Sequence, residues 1–171
     1  MFRSGRLQFR EMVQADRESL HEMFSDPAVM RFAEGTKTFA ETGEWLNRTI
    51  QDYRSFGIGF WMAEKRDSGE CVGQCGIRPR KIQGQVRVEF GYLIARSYWG
   101  KGYGKEAAQA CRTFVFDHLG VPALTSLIHP ANAPSIRIAR HLGMEKQGTV
   151  FKRKQWLDMY TLENPFHSST K

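Results

Sequence analysis

Apolar residues alternate with polar ones in some stretches of the chain and recur every three to four residues in others. The switches between these periods divide the chain into elements. Residues 7–11 alternate as a short strand, and Asp16 stands where an N-cap would open a helix reaching Phe24, stopped by Asp26-Pro27. Residues 29–38 predict a loop. Trp45, Leu46, Thr49, Ile50 and Tyr53 fall at helical spacing and predict a helix over 39–53. Gly57 and Gly59 break it before a strand over 60–65. Asp67-Ser-Gly-Glu70 turns the chain into a strand over 71–78, and Gln83-Gly84 turns it again into one over 86–95.

A third helix runs from about 101 to 118, with Ala107, Ala108, Cys111, Phe114 and Val115 as its buried stripe and Gly120-Val-Pro122 as its stop. Residues 123–128 read as a short buried strand, 134–142 as a helix closed by Gly143, and 144–153 with 156–162 as a last hairpin. Residues 164–171 predict a frayed tail. No repeat or linker interrupts the series β-α-α-β-β-β-α-β-α-β-β, which predicts one mixed α/β domain over residues 1–171.

Composition narrows the class. With 171 residues, 41% apolar and 12% aromatic, the chain is long enough for one well-buried core and falls outside the disordered class. No apolar run approaches the ~18 residues of a membrane span, and the start MFRSGRLQFR lacks the apolar core of an export signal. Cys71, Cys75 and Cys111 form an odd set that suits reduced thiols and a cytoplasmic location. Cys71 and Cys75, four apart on one strand, are expected to face the same side, and no further Cys/His pair completes a metal site. The net charge of +7 gathers in Arg78-Pro-Arg80-Lys81, Arg137 with Arg140, and Lys152-Arg153-Lys154. Without a long basic run or a nucleic-acid module, these read as solvated faces and attraction for a small polyanion, with nucleic acid disfavoured.

The candidate chemistry lies in Trp99-Gly-Lys-Gly-Tyr-Gly-Lys105, between the strand over 86–95 and the third helix. Glycines at 100, 102 and 104 allow a tight turn and keep Cβ atoms away from the helix N-terminus, whose free N–H groups and dipole attract phosphate. A P-loop is excluded, because the required first glycine falls on Trp99 and Glu106 follows Lys105. Gly102-Tyr-Gly104-Lys-Glu-Ala107 fits a dinucleotide fingerprint, yet the antiparallel strands before it and the lack of an acid after Ile128 do not. A second signal follows the next strand: Asn132-Ala-Pro-Ser135 opens a helix that ends in Leu142-Gly143-Met144.

Together, Tyr98-Trp-Gly-Lys-Gly-Tyr-Gly104 and Asn132-x-x-Ser135…Leu142-Gly-Met144 resemble the GNAT acetyltransferase superfamily over nearly the whole chain, from Leu7 to Leu162. Trp99 stands at the Gln/Arg position of its pyrophosphate motif. Glu89-Phe-Gly-Tyr-Leu-Ile, Tyr98-Trp99 and Trp156-x-Asp158 are similar to the branch containing ribosomal-protein N-terminal (alanine/serine) acetyltransferases. The resemblance implies a mostly antiparallel mixed sheet, splayed at one parallel strand pair and flanked by about four helices. It also implies acetyl-CoA as co-substrate, no metal, and an N-acetyltransferase in which an amine attacks the thioester directly.

Carried onto this chain, the resemblance implies that the backbone of Gly100, Lys101, Gly102, Tyr103, Gly104 and Lys105 cradles the pyrophosphate. Leu93, Ile94 and Ala95 would pair with the pantetheine arm, one backbone N–H there polarising the thioester carbonyl. Asn132, after the facing strand, would bind pantetheine from the other side ahead of its alternative as a helix-start or turn Asn, and Ser135 would join it or equally cap the helix. An attacking amine must shed a proton, for which Glu89 is the first candidate and His129 the second; Glu89 also fits a solvent-facing strand position and His129 a loop. The family's thiol-protonating Tyr is replaced by Ala139, and Tyr103 and Tyr160 are alternatives that core packing also explains. Residues 30–38, Trp45, Tyr53 and the hairpin tip 152–155 would shape acceptor specificity, while Phe32, Phe60 and Trp61 fit either an acceptor pocket or the core. The acceptor is an open amine, from a protein N-terminus to a small molecule. A coenzyme A binder without transferase activity is the other reading. Phe151 and Trp156 mark a possible homodimer surface.

Overall fold

Eight strands form one sheet in the order β1-β2-β3-β4-β5-β6-β8-β7. They are β1 (Phe2–Arg3), β2 (Leu7–Glu11), β3 (Phe60–Lys65), β4 (Cys71–Ile82), β5 (Gln85–Ile94), β6 (Ala123–Ile128), β7 (Glu145–Lys152) and β8 (Gln155–Glu163). The helices are α1 (Arg17–Ser25), α2 (Phe39–Phe56), α3 (Tyr103–Asp117) and α4 (Ala133–His141). This computed structural model describes residues 2–152 and 154–167. Every strand pairing is antiparallel except β5 with β6.

Each boundary has a local cause. Thr38 and Glu41 close a reciprocal capping box at the start of α2, and Gly57 ends it at φ +67°. Gln83 and Gly84 both take positive φ, the backbone a two-residue hairpin requires to continue the sheet's twist. The third helix begins at Tyr103 rather than 101, because Gly102 at φ +83° is its N-cap and a short 3-10 turn, Arg96–Tyr98, precedes it. The added strand β1 is held by Phe2, stacked between Phe9 and Phe114 at 4.3 and 4.4 Å.

The sheet divides the core. One face packs Phe9, Val72, Ile77, Phe90 and Ile94 against α3 and α4, and the other packs Met62 and Leu93 against α1 and α2. A third cluster joins Ile82 at the end of β4 to Val150, Leu157 and Met159 of the β7–β8 hairpin. No helix of the described residues is long and apolar enough to cross a membrane.

Two sequence expectations are corrected. Cys71 and Cys75 do not share a face. Ala63 pairs with Gly73 and Glu64 with Cys71, so Val72 is an extra, bulged residue that reverses the alternation. Cys75 joins the α3 face and donates to Ala107 O at 3.6 Å, whereas Cys71 packs with the α1–α2 cluster, where burial pushes its thiol up to about 11. Asn164 does not fray with the tail expected over 164–171. Asn164 is buried, its Nδ2 donating to Val121 O at 3.0 Å and Phe116 O at 3.4 Å, and its backbone N–H donating to Pro122 O. Residues 168–171 and Arg153 lie outside the described residues.

Candidate active site

The glycine loop leaves the end of β5 and enters α3. Ala95 N–H donates to Val72 O, Trp99 N–H to Arg96 O, and Gly100 and Gly102 take φ +74° and +83°. Because Gly102 has no side chain, no cap covers the first-turn N–H groups of Tyr103, Gly104 and Lys105. A Cβ on Gly104 would stand 3.4 Å from Ile138 and 3.5 Å from Tyr92, so this glycine also lets α3 lie close to β5 and α4. Lys105 is exposed, and Lys101 turns back along the loop, donating to Ser97 O at 2.9 Å. Tyr103 is buried under the Arg6 guanidinium, which sits 4.2 Å from its ring centre.

Sequence reading gave no role to Arg6 or Glu106. Glu106 lies in the first turn of α3 and accepts from Ser4 Oγ, Arg6 N and Arg6 Nε, each at 2.7 Å. Burial opposes its ionisation, but the hydrogen bonds from Ser4 and Arg6 outweigh that and hold the carboxyl below its ordinary value. Arg6 Nη1 also donates to Lys101 O at 3.1 Å. The turn before β2 therefore grips the outside of the glycine loop and neutralises Glu106 in the first turn of α3.

The parallel pairing of β5 and β6 is confined to Glu89 opposite Thr125 among the described residues, after which the strands part. Ala95 N–H points to β4, so by alternation Leu93 does too, while Tyr92 and Ile94 present their backbone groups to the gap. Side chains fasten both ends of this edge. Ser126 Oγ donates to Phe90 O at 3.0 Å, and Trp99 Nε1 donates to Ile94 O at 2.8 Å.

Asn132 caps α4, its Oδ1 accepting from Ser135 N at 3.3 Å. Ser135 Oγ in turn meets Tyr92, whose hydroxyl donates to it at 3.3 Å across the gap. Burial raises the Tyr92 phenol to about 12. In the sequence a strand aromatic beside Phe90 reads as core, and nothing local marks Tyr92 as facing Ser135. Ala139 and Tyr160 are buried in the α3-side core, as is Trp61.

Glu89 is buried on the opposite face, with its Oε2 3.0 Å from Arg80 Nε. His129 follows β6, accepts at Nδ1 from Ala131 N–H and stacks on Phe32 at 5.3 Å. With that lone pair engaged, a neutral His129 ring offers Nε2–H, a donor rather than a proton acceptor. Arg78 is not a solvated residue: its Nε donates to Asp52 at 2.6 Å and its Nη2 to Thr49, beneath Trp45 and Phe60. Tyr53 donates to Phe60 O and accepts from Met12 N, which makes it a pin between α2 and the sheet. Phe151 and Trp156 meet edge to face at 5.4 Å and are mostly exposed.

An uncapped helix N-terminus behind two glycines lies beside two parallel strands that part after a single pair, in a mixed α/β sheet flanked by four helices. Residues 6–145 match the Acetyltransferase (GNAT) domain model, and the chain belongs to the GNAT acetyltransferase family. It is 37% identical to the protein YkkB of Bacillus subtilis over 92% of either chain. An acetyltransferase structure from Agrobacterium tumefaciens is 26% identical over 94% of this chain and 92% of that one, with a TM-score of 0.80. A ribosomal alpha-N-protein acetyltransferase solved in complex with coenzyme A shares the fold at TM-score 0.78 and 16% identity, covering 94% of this chain and 95% of that one.

Proposed function

We propose that this chain transfers the acetyl group of acetyl-CoA to a primary amine by direct attack. The observation that carries the reading is the uncapped first turn of α3 behind Gly100 and Gly102, set beside the parting of β5 and β6 past Glu89. An anion fits the first feature, and a ligand bearing amides fits the second, where Tyr92 and Ile94 present backbone groups to the gap.

In this reading, Gly100 to Lys105 hold the pyrophosphate and the gap edge of β5 aligns the pantetheine arm. Bound acetyl-CoA supplies an activated thioester. Tyr92 and Ser135, already hydrogen-bonded to each other, stand at the α4 side of the gap, where the family's Tyr is missing at Ala139. Tyr92 donates to Ser135, and the Ser135 hydroxyl in turn donates to the leaving sulfur. A thiolate with an ordinary value near 8.5 needs a hydrogen bond more than a full proton from a phenol near 12.

On the other face, Glu89 takes the amine's proton through water. A lysine-like amine of pKa ~10.4 is about 3.4 units from neutral at pH 7, an uphill step of roughly 4.6 kcal/mol that a placed carboxylate helps to complete. The test is thiol release from acetyl-CoA over a panel of amines, with the product identified by mass. Glu89→Gln is expected to lower kcat at least tenfold while moving the KM for acetyl-CoA less than threefold; an unchanged kcat removes Glu89 from the step. Coenzyme A binding with no turnover on any amine would favour a binder without transferase activity.

A further inference from the structure

On the α2 face of the sheet, Arg80 of β4 and Arg87 of β5 are direct cross-strand partners, and the next pair along is Arg78 with Glu89. Like charges directly opposite one another weaken an antiparallel pair. Glu89 offsets one of them only in part: its Oε2 lies 3.0 Å from Arg80 Nε but off the N–H axis, so the contact is one of charge and not a hydrogen bond. Arg87 reaches Gln85 Oε1 at 3.0 Å, a neutral partner. Both Nε atoms, of Arg80 and of Arg87, are buried without a hydrogen-bond partner among the described residues. Each is a desolvated donor, and such groups are costly to leave unmade.

The position of this pair gives it a use. Arg78 is covered by α2 through Asp52 and Thr49, and Ile82 packs into the β7–β8 cluster. Arg80, Arg87 and Glu89 occupy the span between, on the face of the proposed amine site and two residues before the strands part. We infer that the acceptor is a primary amine carrying a carboxylate, and that Arg80 and Arg87 bind that carboxylate. This rests on the acetyl-transfer reading of the site. Guanidinium forks match the planar carboxylate, and an anion between them relieves the cross-strand repulsion. At a rise of about 3.4 Å per residue, Arg87 lies roughly 7 Å along β5 from Glu89, so the carboxylate stands about 7–10 Å from the amine. That span is two to three residues of extended peptide, longer than the separation within a free amino acid.

The experiment compares the tripeptide amides Ser-Gly-Glu and Ser-Gly-Gln, free glutamate, and spermidine as acceptors, by thiol release at fixed ionic strength. The acidic tripeptide is expected to exceed its glutamine twin by ~10–100-fold in kcat/KM, the range for hydrogen bonds to a charged group. Arg87→Ala should narrow that ratio to within threefold, and Arg87→Lys should retain part of it with an unchanged thermal midpoint. Equal rates for the two tripeptides, or a faster rate with spermidine, overturn the inference while leaving acetyl transfer standing. Faster acetylation of glutamate than of the acidic tripeptide overturns the spacing. If no acceptor turns over, calorimetric binding of both tripeptides to the coenzyme A-loaded protein decides. Arg87-dependent preference for the acidic one keeps the carboxylate site of Arg80 and Arg87 but removes its role in choosing an acceptor, and no preference sinks the inference.

Discussion

Removing Arg6 should weaken acetyl-CoA binding although Arg6 stands outside the cradle. Its guanidinium is the only ion-pair partner of Glu106 among the described residues, and Glu106 sits three residues into α3. At 1.5 Å per residue that is about 4.5 Å along the axis from Tyr103, hence about 8 Å from a phosphate at the helix tip. An uncompensated unit charge at 8 Å repels another by about 0.5 kcal/mol at a dielectric of 80 and about 2 kcal/mol at 20, or roughly 2- to 30-fold in affinity. Arg6→Ala is therefore expected to raise the KM for acetyl-CoA within that range, more at low salt than at high salt, with kcat changed less than twofold. The ion pair is half exposed on the Arg6 side, so the thermal midpoint should fall by only about 2–5 °C. The deciding variant is Arg6→Ala with Glu106→Gln. If repulsion is the cause, removing the orphaned charge restores the KM; if the double variant binds as poorly as the single one, the reasoning fails. Glu106 is held below its ordinary value of 4.5, so its folded-state contribution is complete at neutral pH and is lost only as pH falls through that lowered value.

Tyr92→Phe keeps the ring against Gly104 and removes the hydroxyl, so kcat should drop about tenfold with KM little changed; Ser135→Ala should act in the same direction. Because the phenol stays protonated up to about 12, no loss of rate attributable to Tyr92 should appear below pH 10. Asn164→Ala leaves two buried carbonyls, of Phe116 and Val121, without their donor, and should cost about 1–3 kcal/mol in denaturant melts without changing the KM for acetyl-CoA. A neutral result would return residue 164 to the tail.

Most of the fold was legible because its punctuation is local. Glycines at 57, 84 and 102 take the positive φ that ends or turns an element, and the periods between them change where the elements do. What escaped was set across the sheet. The bulge at Val72 has no signature in Cys71-Val-Gly-Gln-Cys75, since the partner strand fixes which residue is extra, and it reversed the expected side of Cys71. Arg6 meets Glu106 from 100 residues away, and Ser126 meets Phe90 from 36. The tight turn into α3 was readable from its glycines, whereas the groups that brace it and the Arg80–Arg87 pair became visible only with the strand register in hand.

The gap between β5 and β6 must be held open against the tendency of parallel strands to pair, and the side chains around it explain how. Were the ladder to continue past Thr125, β6 backbone would satisfy the carbonyl of Phe90. Instead Ser126 Oγ serves it, and Trp99 Nε1 serves the carbonyl of Ile94 beyond the reach of β6. Two donors outside the ladder thus remove the penalty of unpaired carbonyls at those positions, and leave the backbone of Tyr92 between them facing the gap. Trp99 stands where the family motif carries Gln or Arg, so here the motif's first position props the gap from the loop side. That single indole hydrogen bond ties the end of β5 to the glycine turn, so in the proposed reading it fixes the spacing between the phosphate and pantetheine sites.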